Sequence, residues 1–124
     1  MGFGSTRKLL CTEVQAVLLV VAVLALAGAA SAEGNSKVAA GEATFKAKCV
    51  VCHGSDGHSQ TTLGKQLKAF DLHTAQVQKQ TDEALKNVIT NGQGNMPPFQ
   101  DQLSASQIDE VLSYVRSAFG KKKK

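Results

Sequence analysis

The 124-residue sequence predicts a small all-α domain, and three observations support that class. Apolar residues recur at helical spacing in three stretches, which begin near Ser36, Thr81 and Ser104. No stretch shows the alternation of apolar and polar residues that is typical of a half-buried strand. The remaining segment, residues 54–80, combines turn residues with scattered apolar side chains that show no long period.

The first 32 residues have the pattern of a secretory signal peptide. A basic pair precedes an apolar run over residues 16–30, and the small-residue site ends at Ala32. We expect cleavage between Ala32 and Glu33. A retained membrane anchor is the alternative, but the run has 15 residues and a spanning helix needs about 20. The sequence therefore predicts an exported chain.

The mature domain is predicted to span residues 33–120, followed by a lysine tail at residues 121–124. Residues 33–124 carry twelve Lys or Arg and nine Asp or Glu, which gives a net charge of about +3. Because the tail supplies four of the positive charges, the domain itself has a net charge of about −1. A terminal lysine run is typically solvated, so we predict no nucleic-acid binding.

The first predicted helix runs from residue 35 or 36 to Cys49. Ser36 can cap it, and Gly41 and Phe45 recur on one side. A glycine inside a helix costs about 1 kcal/mol relative to alanine. Gly41 therefore indicates either a close helix crossing or a tolerated glycine on a surface helix, and the residue pattern leaves both open.

The second predicted helix follows Thr81, which can cap it, and the acids at positions 82 and 83 match the positive end of the helix dipole. Asn91 and Gly92 are typical residues for its end. A loop over residues 92–99 follows. The apolar stripe of this helix is formed by Leu85, Val88 and Ile89.

The last predicted helix begins after Ser104. Gln107 lies three positions further on, so the pair has the spacing of a capping box. Five apolar residues then recur at helical spacing and predict one buried stripe. These residues are Ile108, Val111, Leu112, Val115 and Phe119.

The sequence Cys49-Val50-Val51-Cys52-His53 carries the chemistry of the chain. Two cysteines on one helical turn can form thioethers with the two vinyl groups of a porphyrin, and the next residue can ligate the iron. A redox-active disulfide is the first alternative, but no βαβ pattern surrounds the pair. A zinc module is the second, and it needs ligands that the spacing of the other histidines does not provide. We predict one covalent haem c.

The predicted core is thin, because residues 38–119 contain only 21 large apolar or aromatic side chains. A domain of this size is marginal on packing alone, so an apolar macrocycle would fill its centre. We expect several side chains of the irregular segment and the later helices to bury that group. They are Leu63, Leu67, Phe70, Leu72, Phe99 and Leu112.

Met96 is the candidate for the second axial ligand. It lies 43 residues beyond His53 in a polar, glycine-rich loop, where an apolar side chain has little other use. Pro97 favours an extended backbone at Met96 and stiffens the loop. His58 and His73 are rivals for the same position, and we expect each to be a surface histidine instead.

The sequence resembles the class I c-type cytochromes, of the short single-haem bacterial kind and similar in length to cytochrome c6. The resemblance implies a small cytochrome c fold, in which the N- and C-terminal helices cross near Gly41 and a third helix and loops surround the haem. It covers nearly all of residues 38–118. The matching positions are Gly41, Phe45, Cys49, Cys52, His53, Gly92, Met96, Pro97, Phe99, Ile108, Tyr114 and Val115.

One feature departs from the mitochondrial-type members of this family. Those proteins carry a Gly-Pro pair soon after the motif, and its carbonyl orients the proximal imidazole. Residues 54–68 of this sequence contain no proline. The acceptor for the Nδ1 hydrogen of His53, which controls the orientation and basicity of the ligand, is therefore not assignable from the sequence.

We expect a soluble, monomeric electron carrier of the periplasm and not an enzyme. Ligation by His53 and Met96 would leave no open iron position and would raise the reduction potential. The resemblance implies transient redox partners, with a quinol–cytochrome c oxidoreductase as donor and a terminal oxidase or similar protein as acceptor. No small-molecule substrate is expected.

Two other functions remain open at this stage. A haem peroxidase or gas sensor would need a displaceable Met96, and no acid–base pair near the motif supports peroxide chemistry. A structural role, with the haem only as a core, would lack an accessible redox couple. Four lysines could surround the haem edge and attract an acidic partner, or could be ordinary solvated residues. They are Lys46, Lys48, Lys65 and Lys68.

Overall fold

A computed structural model describes residues 29–120 of the chain. The predicted signal peptide, apart from the backbone of its last four residues, and the lysine tail lie outside this range. The chain divides into two compact units, residues 1–35 and 36–124, and the account below concerns the second. None of the helices described is long and apolar enough to cross a membrane.

Six helices follow one another between residues 29 and 120, and this part of the chain contains no strand. The predicted all-α class is therefore confirmed. The helices are α1 (Ala29–Lys48), α2 (Val50–His53), α3 (Thr62–Leu67), α4 (Ala75–Gln78), α5 (Asp82–Asn91) and α6 (Ala105–Phe119).

Helices α5 and α6 begin where their N-capping residues predict. Thr81 Oγ1 accepts the backbone N–H of Ala84 at 3.2 Å. Ser104 Oγ accepts the N–H of Gln107 at 3.3 Å, and Gln107 Oε1 accepts the N–H of Ser104 at 2.9 Å. The capping box is confirmed, and all five residues of the predicted stripe on α6 are buried.

The close crossing of α1 and α6 explains Gly41. A Cβ atom at this position would overlap the backbone carbonyl of Glu110 and would touch Tyr114. Below the crossing, the Phe45 ring lies 5.3 Å from the rings of both Tyr114 and Phe119. The structure thus selects the helix crossing over the tolerated surface glycine.

Two of the side chains expected to bury the cofactor are partly exposed at the surface. Leu63 is 37% exposed, because α3 turns Gly64 inward, where a Cβ atom would overlap the carbonyl of Cys52. Phe70 is 54% exposed although it borders the central cleft. Leu63 does not line the cleft, whereas four of the other expected residues do: Phe70, Leu72, Phe99 and Leu112. Leu67 is half-buried but does not line the cleft.

Candidate haem site

An apolar cleft opens between the helices, with an empty volume of about 920 Å³ including its mouth. Cys49, His53 and Met96 line it, whereas Cys52 is half-buried and is not among its lining residues. Three glutamines supply the other polar lining groups. The apolar lining comprises Phe45, Phe70, Leu72, Val77, Leu85, Val88, Ile89, Phe99, Leu103, Val111, Leu112 and Val115.

The cysteine motif folds as one tight turn at the junction of α1 and α2. The carbonyl of Cys49 accepts the N–H groups of Cys52 at 3.2 Å and of His53 at 2.9 Å. Gly54 ends the turn with φ of 73°, a backbone conformation that is unfavourable for residues with a Cβ atom. This turn therefore holds both cysteines and the histidine on one short, well-defined segment.

The environment of Cys49 does not suit a redox-active thiol. Burial, with a smaller contribution from Cys52, raises the pKa of Cys49 to about 11. Reactive cysteines of oxidoreductases have lowered pKa values, because the thiolate is the nucleophile. The raised pKa of Cys49 therefore favours a role in cofactor attachment over a role in redox catalysis.

Two oxygen atoms lie within hydrogen-bond distance of Nδ1 of His53. Nδ1 lies 3.2 Å from the Phe70 carbonyl oxygen and 3.2 Å from Ser59 Oγ. Because a carbonyl can only accept, Nδ1 carries the hydrogen and Nε2 keeps its lone pair. Burial lowers the pKa of His53, and the bond to Phe70 offsets part of that shift. A neutral imidazole with a free Nε2 is the form that ligates iron.

Ser59 completes this arrangement. Its hydroxyl donates to the Phe70 carbonyl at 2.6 Å, and its own N–H donates to the carbonyl of His53 at 2.9 Å. The residue is only 4% exposed and has φ of 58°. Sequence reasoning missed both partners of His53. A main-chain carbonyl leaves no trace in the sequence, and the only available signal was a serine in a turn-rich segment.

Met96 is held in a short loop between α5 and α6. Gln93 and Met96 exchange backbone hydrogen bonds of 3.0 and 3.1 Å around Gly94, which has φ of 59°. The Asn95 side chain donates to the carbonyl of Leu67 at 2.9 Å and so ties the loop to α3. Met96 is half-buried and lines the same cleft as His53.

The two rival histidines lie together outside the cleft lining. His58 is exposed and His73 is half-buried, and their rings stack with centroids 4.2 Å apart. Neither residue borders the cleft that contains His53 and Met96. The structure therefore brings Met96, and not these histidines, to the side of the predicted cofactor.

The four lysines near the motif are all exposed. Lys46 forms an ion pair of 2.8 Å with Glu42, so part of its charge is compensated. Lys48 Nζ donates to Gln102 Oε1 at 3.4 Å. Lys65 lies within α3 and Lys68 directly follows it, on the segment after the cysteine motif.

The residues of the cleft fit a covalently attached haem. An apolar lining accommodates the macrocycle, the Cys49–Cys52 spacing suits two thioether bonds, and His53 presents a neutral nitrogen. Among the described residues, the cleft also carries a thioether, that of Met96, as a second soft donor. A zinc module would need further thiolate or imidazole ligands at this place.

Comparisons with known proteins agree with this geometry. Residues 36–115 match the protein family described as "Cytochrome C oxidase, cbb3-type, subunit III". A solved structure, the KustC0563 c-type cytochrome, is similar with a TM-score of 0.53 and 34% identity. The similarity covers 67% of this chain and 98% of that one. The chain belongs to the c-type cytochrome family, as a small class I member.

Within this class the chain is similar to cytochrome c6. The protein of that name from Leptolyngbya boryana is 46% identical over 77 residues, which cover 62% of this chain and 87% of the relative. Cytochrome c6 from Limnospira maxima is 36% identical over 89 residues, covering 63% and 89%. The chain is therefore a haem c electron-transfer protein.

Proposed function

We propose that this protein is an exported carrier of single electrons in which Nε2 of His53 and Sδ of Met96 are the two axial ligands of the haem iron. The observation that carries the proposal is that both side chains line one apolar cleft, although 43 residues separate them. The haem, when bound, supplies a one-electron couple of its iron. The protein supplies the ligands, orients them and excludes water.

His53 is suited to permanent ligation because its ring is fixed before any ligand binds. The bond from Nδ1 to the Phe70 carbonyl determines the tautomer and the plane of the ring. It also raises the basicity of Nε2, since a donor that shares its hydrogen carries more electron density on the opposite nitrogen. This support favours a strong proximal bond.

Met96 is suited to remain an axial ligand because hydrogen bonds hold its loop in place. The Gln93–Met96 pair closes the loop on itself, and the Asn95 bond attaches it to α3. A sulfur that stays at the cleft leaves no iron position for peroxide or a gas. Methionine ligation also raises the reduction potential relative to a second histidine. Both points favour a carrier over the enzymatic alternative.

We further propose that residues 1–32 are a cleaved export signal and that residues 33–120 act in the periplasm as a monomer. The donor would be a quinol–cytochrome c oxidoreductase and the acceptor a terminal oxidase or similar protein. Similarity to cytochrome c6 supports transient redox partners, which use small interfaces. Exposed Lys48, Lys65 and Lys68 supply positive charge for an acidic partner.

The ligation is tested by the absorption spectrum of the oxidised holoprotein. We expect the weak far-red band that methionine gives with ferric haem, and Met96→Ala should abolish it and produce high-spin features. His58→Gln and His73→Gln are matched controls and should retain the band. A band that survives in Met96→Ala, or is lost in either control, would contradict the assignment. High-spin features in the unsubstituted protein would instead favour the peroxidase or sensor.

Docking is tested separately by electron-transfer rates. If positive charge steers the partner, the rate with an acidic redox protein should fall steeply as salt increases. Lys65→Gln and Lys68→Gln should flatten that dependence, whereas Lys79→Gln, an exposed lysine outside this group, should not. An unchanged salt dependence would refute electrostatic steering and would leave the ligation of His53 and Met96 unaffected.

A further inference from the structure

A second group of potential metal ligands lies apart from the haem cleft. His58, Asp71 and His73 each present one ligand atom, and these three atoms all lie within 4.8 Å of one another. Nδ1 of His58 is already 2.9 Å from Oδ2 of Asp71. None of the three residues lines the cleft, so the haem site does not account for their proximity.

The protein holds these residues in place through contacts of their own loops. The N–H of Leu72 donates to the carbonyl of Gly57 at 2.8 Å, which joins the two loops that carry the cluster. The N–H of His73 donates to Oδ1 of Asp71 at 2.8 Å and directs the carboxylate. The His73 ring also contacts the Phe119 ring edge-on at 5.2 Å. The cluster is therefore built on fixed backbone.

The tautomer of His73 is also fixed. Its Nε2 lies 2.7 Å from the carbonyl oxygen of Asp56, which can only accept a hydrogen bond. The lone pair of the neutral ring is therefore on Nδ1. An outer partner that orients an imidazole in this way is a regular feature of histidine ligands in metal sites.

We propose that His58, Asp71 and His73 bind one divalent transition-metal ion, with water completing the coordination. Two imidazoles and one carboxylate suit Zn²⁺, Cu²⁺ or Ni²⁺ more than Mg²⁺ or Ca²⁺. Ligand atoms at about 2.0–2.1 Å from a tetrahedral ion lie about 3.3 Å apart. The 2.9 Å contact between His58 and Asp71 is close to this spacing, so an ion can replace the shared hydrogen. The other ligand-atom distances are at most 4.8 Å, and rotation of the exposed His58 side chain is the movement that the proposal requires.

The proposal is tested by calorimetric titration of the haem-loaded protein with ZnCl₂. In this form both cysteines are in thioether bonds and cannot bind the added ion. We expect one saturable Zn²⁺ site. His58→Gln, Asp71→Asn and His73→Gln should each weaken it at least about tenfold. Asp109→Asn is the matched control, because Asp109 is likewise exposed and paired with a cation, Lys86. It should bind like the unsubstituted protein.

A second measurement keeps the result independent of folding. In the reduced holoprotein, Zn²⁺ should shift the imidazole NMR signals of His58 and His73 and leave those of His53 unchanged. If His73→Gln fails to fold, the more exposed His58 decides the question alone. Absence of a saturable site, or equal affinity of the His58 variant and the control, would overturn the proposal.

Discussion

Ser59 and Phe70 together support His53, the proposed proximal ligand: the hydroxyl of Ser59 donates to the Phe70 carbonyl at 2.6 Å, and Nδ1 of His53 donates to the same oxygen. One carbonyl thus serves two donors. Since each donor draws electron density from the oxygen, the Ser59 hydroxyl weakens the hydrogen bond that the carbonyl accepts from the imidazole. Ser59 is therefore placed to adjust the basicity of His53.

Ser59→Ala should lower the reduction potential. Without the hydroxyl, the Phe70 carbonyl accepts from His53 alone, which makes Nε2 a stronger donor and stabilises ferric iron. A change of about 0.5–1 kcal/mol in one hydrogen bond corresponds to about 20–40 mV for one electron. Redox titration measures the shift. Ser55→Ala, an exposed serine in the same loop, should leave the potential unchanged, and a raised potential in Ser59→Ala would contradict this account.

Gly41→Ala should destabilise the protein by about 1–3 kcal/mol, because the new methyl group must displace the Glu110 backbone at the helix crossing. Denaturant unfolding of the holoprotein measures this loss. Gly34→Ala, also on α1, is the control, since nothing lies within 4 Å of its added Cβ. It should be neutral or slightly stabilising. Equal stability of the two variants would show that α1 can move away from α6 without cost.

Arg116→Lys should cost about 1–3 kcal/mol of unfolding free energy. The guanidinium is 25% exposed and binds the Asp82 carboxylate at 2.9 Å together with the carbonyls of Gln78 and Gln80. Three nitrogens of the guanidinium reach these acceptors in different directions, which the single nitrogen of a lysine cannot do. Lys86→Met, which breaks an exposed ion pair with Asp109, should have no measurable effect in the same unfolding experiment. A loss as large as that of Arg116→Lys would contradict this comparison.

The contribution of the His58–Asp71 pair to stability should depend on pH within a defined window. The side-chain hydrogen bond raises the pKa of His58 and lowers the pKa of Asp71. The stabilisation from His58 is fully present below the pKa of about 6.5 in the unfolded chain, and it is lost as pH rises through the pKa in the folded protein. The stabilisation from Asp71 is present above the pKa of about 3.9 in the unfolded chain, and it is lost as pH falls through the pKa in the folded protein.

His58→Gln should therefore lower the melting temperature of the holoprotein between about pH 4 and pH 6.5, and should match the unsubstituted protein in alkaline buffer. Asp56 and His73 also lie beside the pair, so Asp71→Asn is needed as a second variant. Thermal unfolding across this range, in metal-free buffer, provides the measurement. A difference that persists unchanged at alkaline pH would show that the pair does not act through its charges.

Local features of the sequence were sufficient to predict the later helices. Thr81, Ser104 and Gln107 act within their own first turn, so their patterns need no knowledge of the rest of the fold. The crossing at Gly41 remained open, because its partner Glu110 lies 69 positions further along the chain. The resemblance to c-type cytochromes predicted that crossing, and the structure confirms it.

The segment after the motif was harder to predict. The short helices α3 and α4 have fewer than two turns each, so no apolar period develops within them. Leu63 is apolar and is therefore expected to help bury the cofactor, but Gly64 occupies the inward side of α3. The support of His53 depends on a main-chain carbonyl and on a serine with positive φ, neither of which residue type alone reveals.

The side chains that form the cleft are also the core of the domain. Of the ten buried hydrophobic residues among those described, eight line the cleft, and only Ile108 and Phe119 do not. The cofactor therefore takes the place that a second layer of side chains would occupy in a larger protein. Attachment of the cofactor should therefore stabilise the compact chain, because a group held only by the native state favours that state. Chain that is synthesised faster than haem is attached would stay sensitive to proteases and would be degraded. The steady-state amount of the protein would thus report the supply of haem.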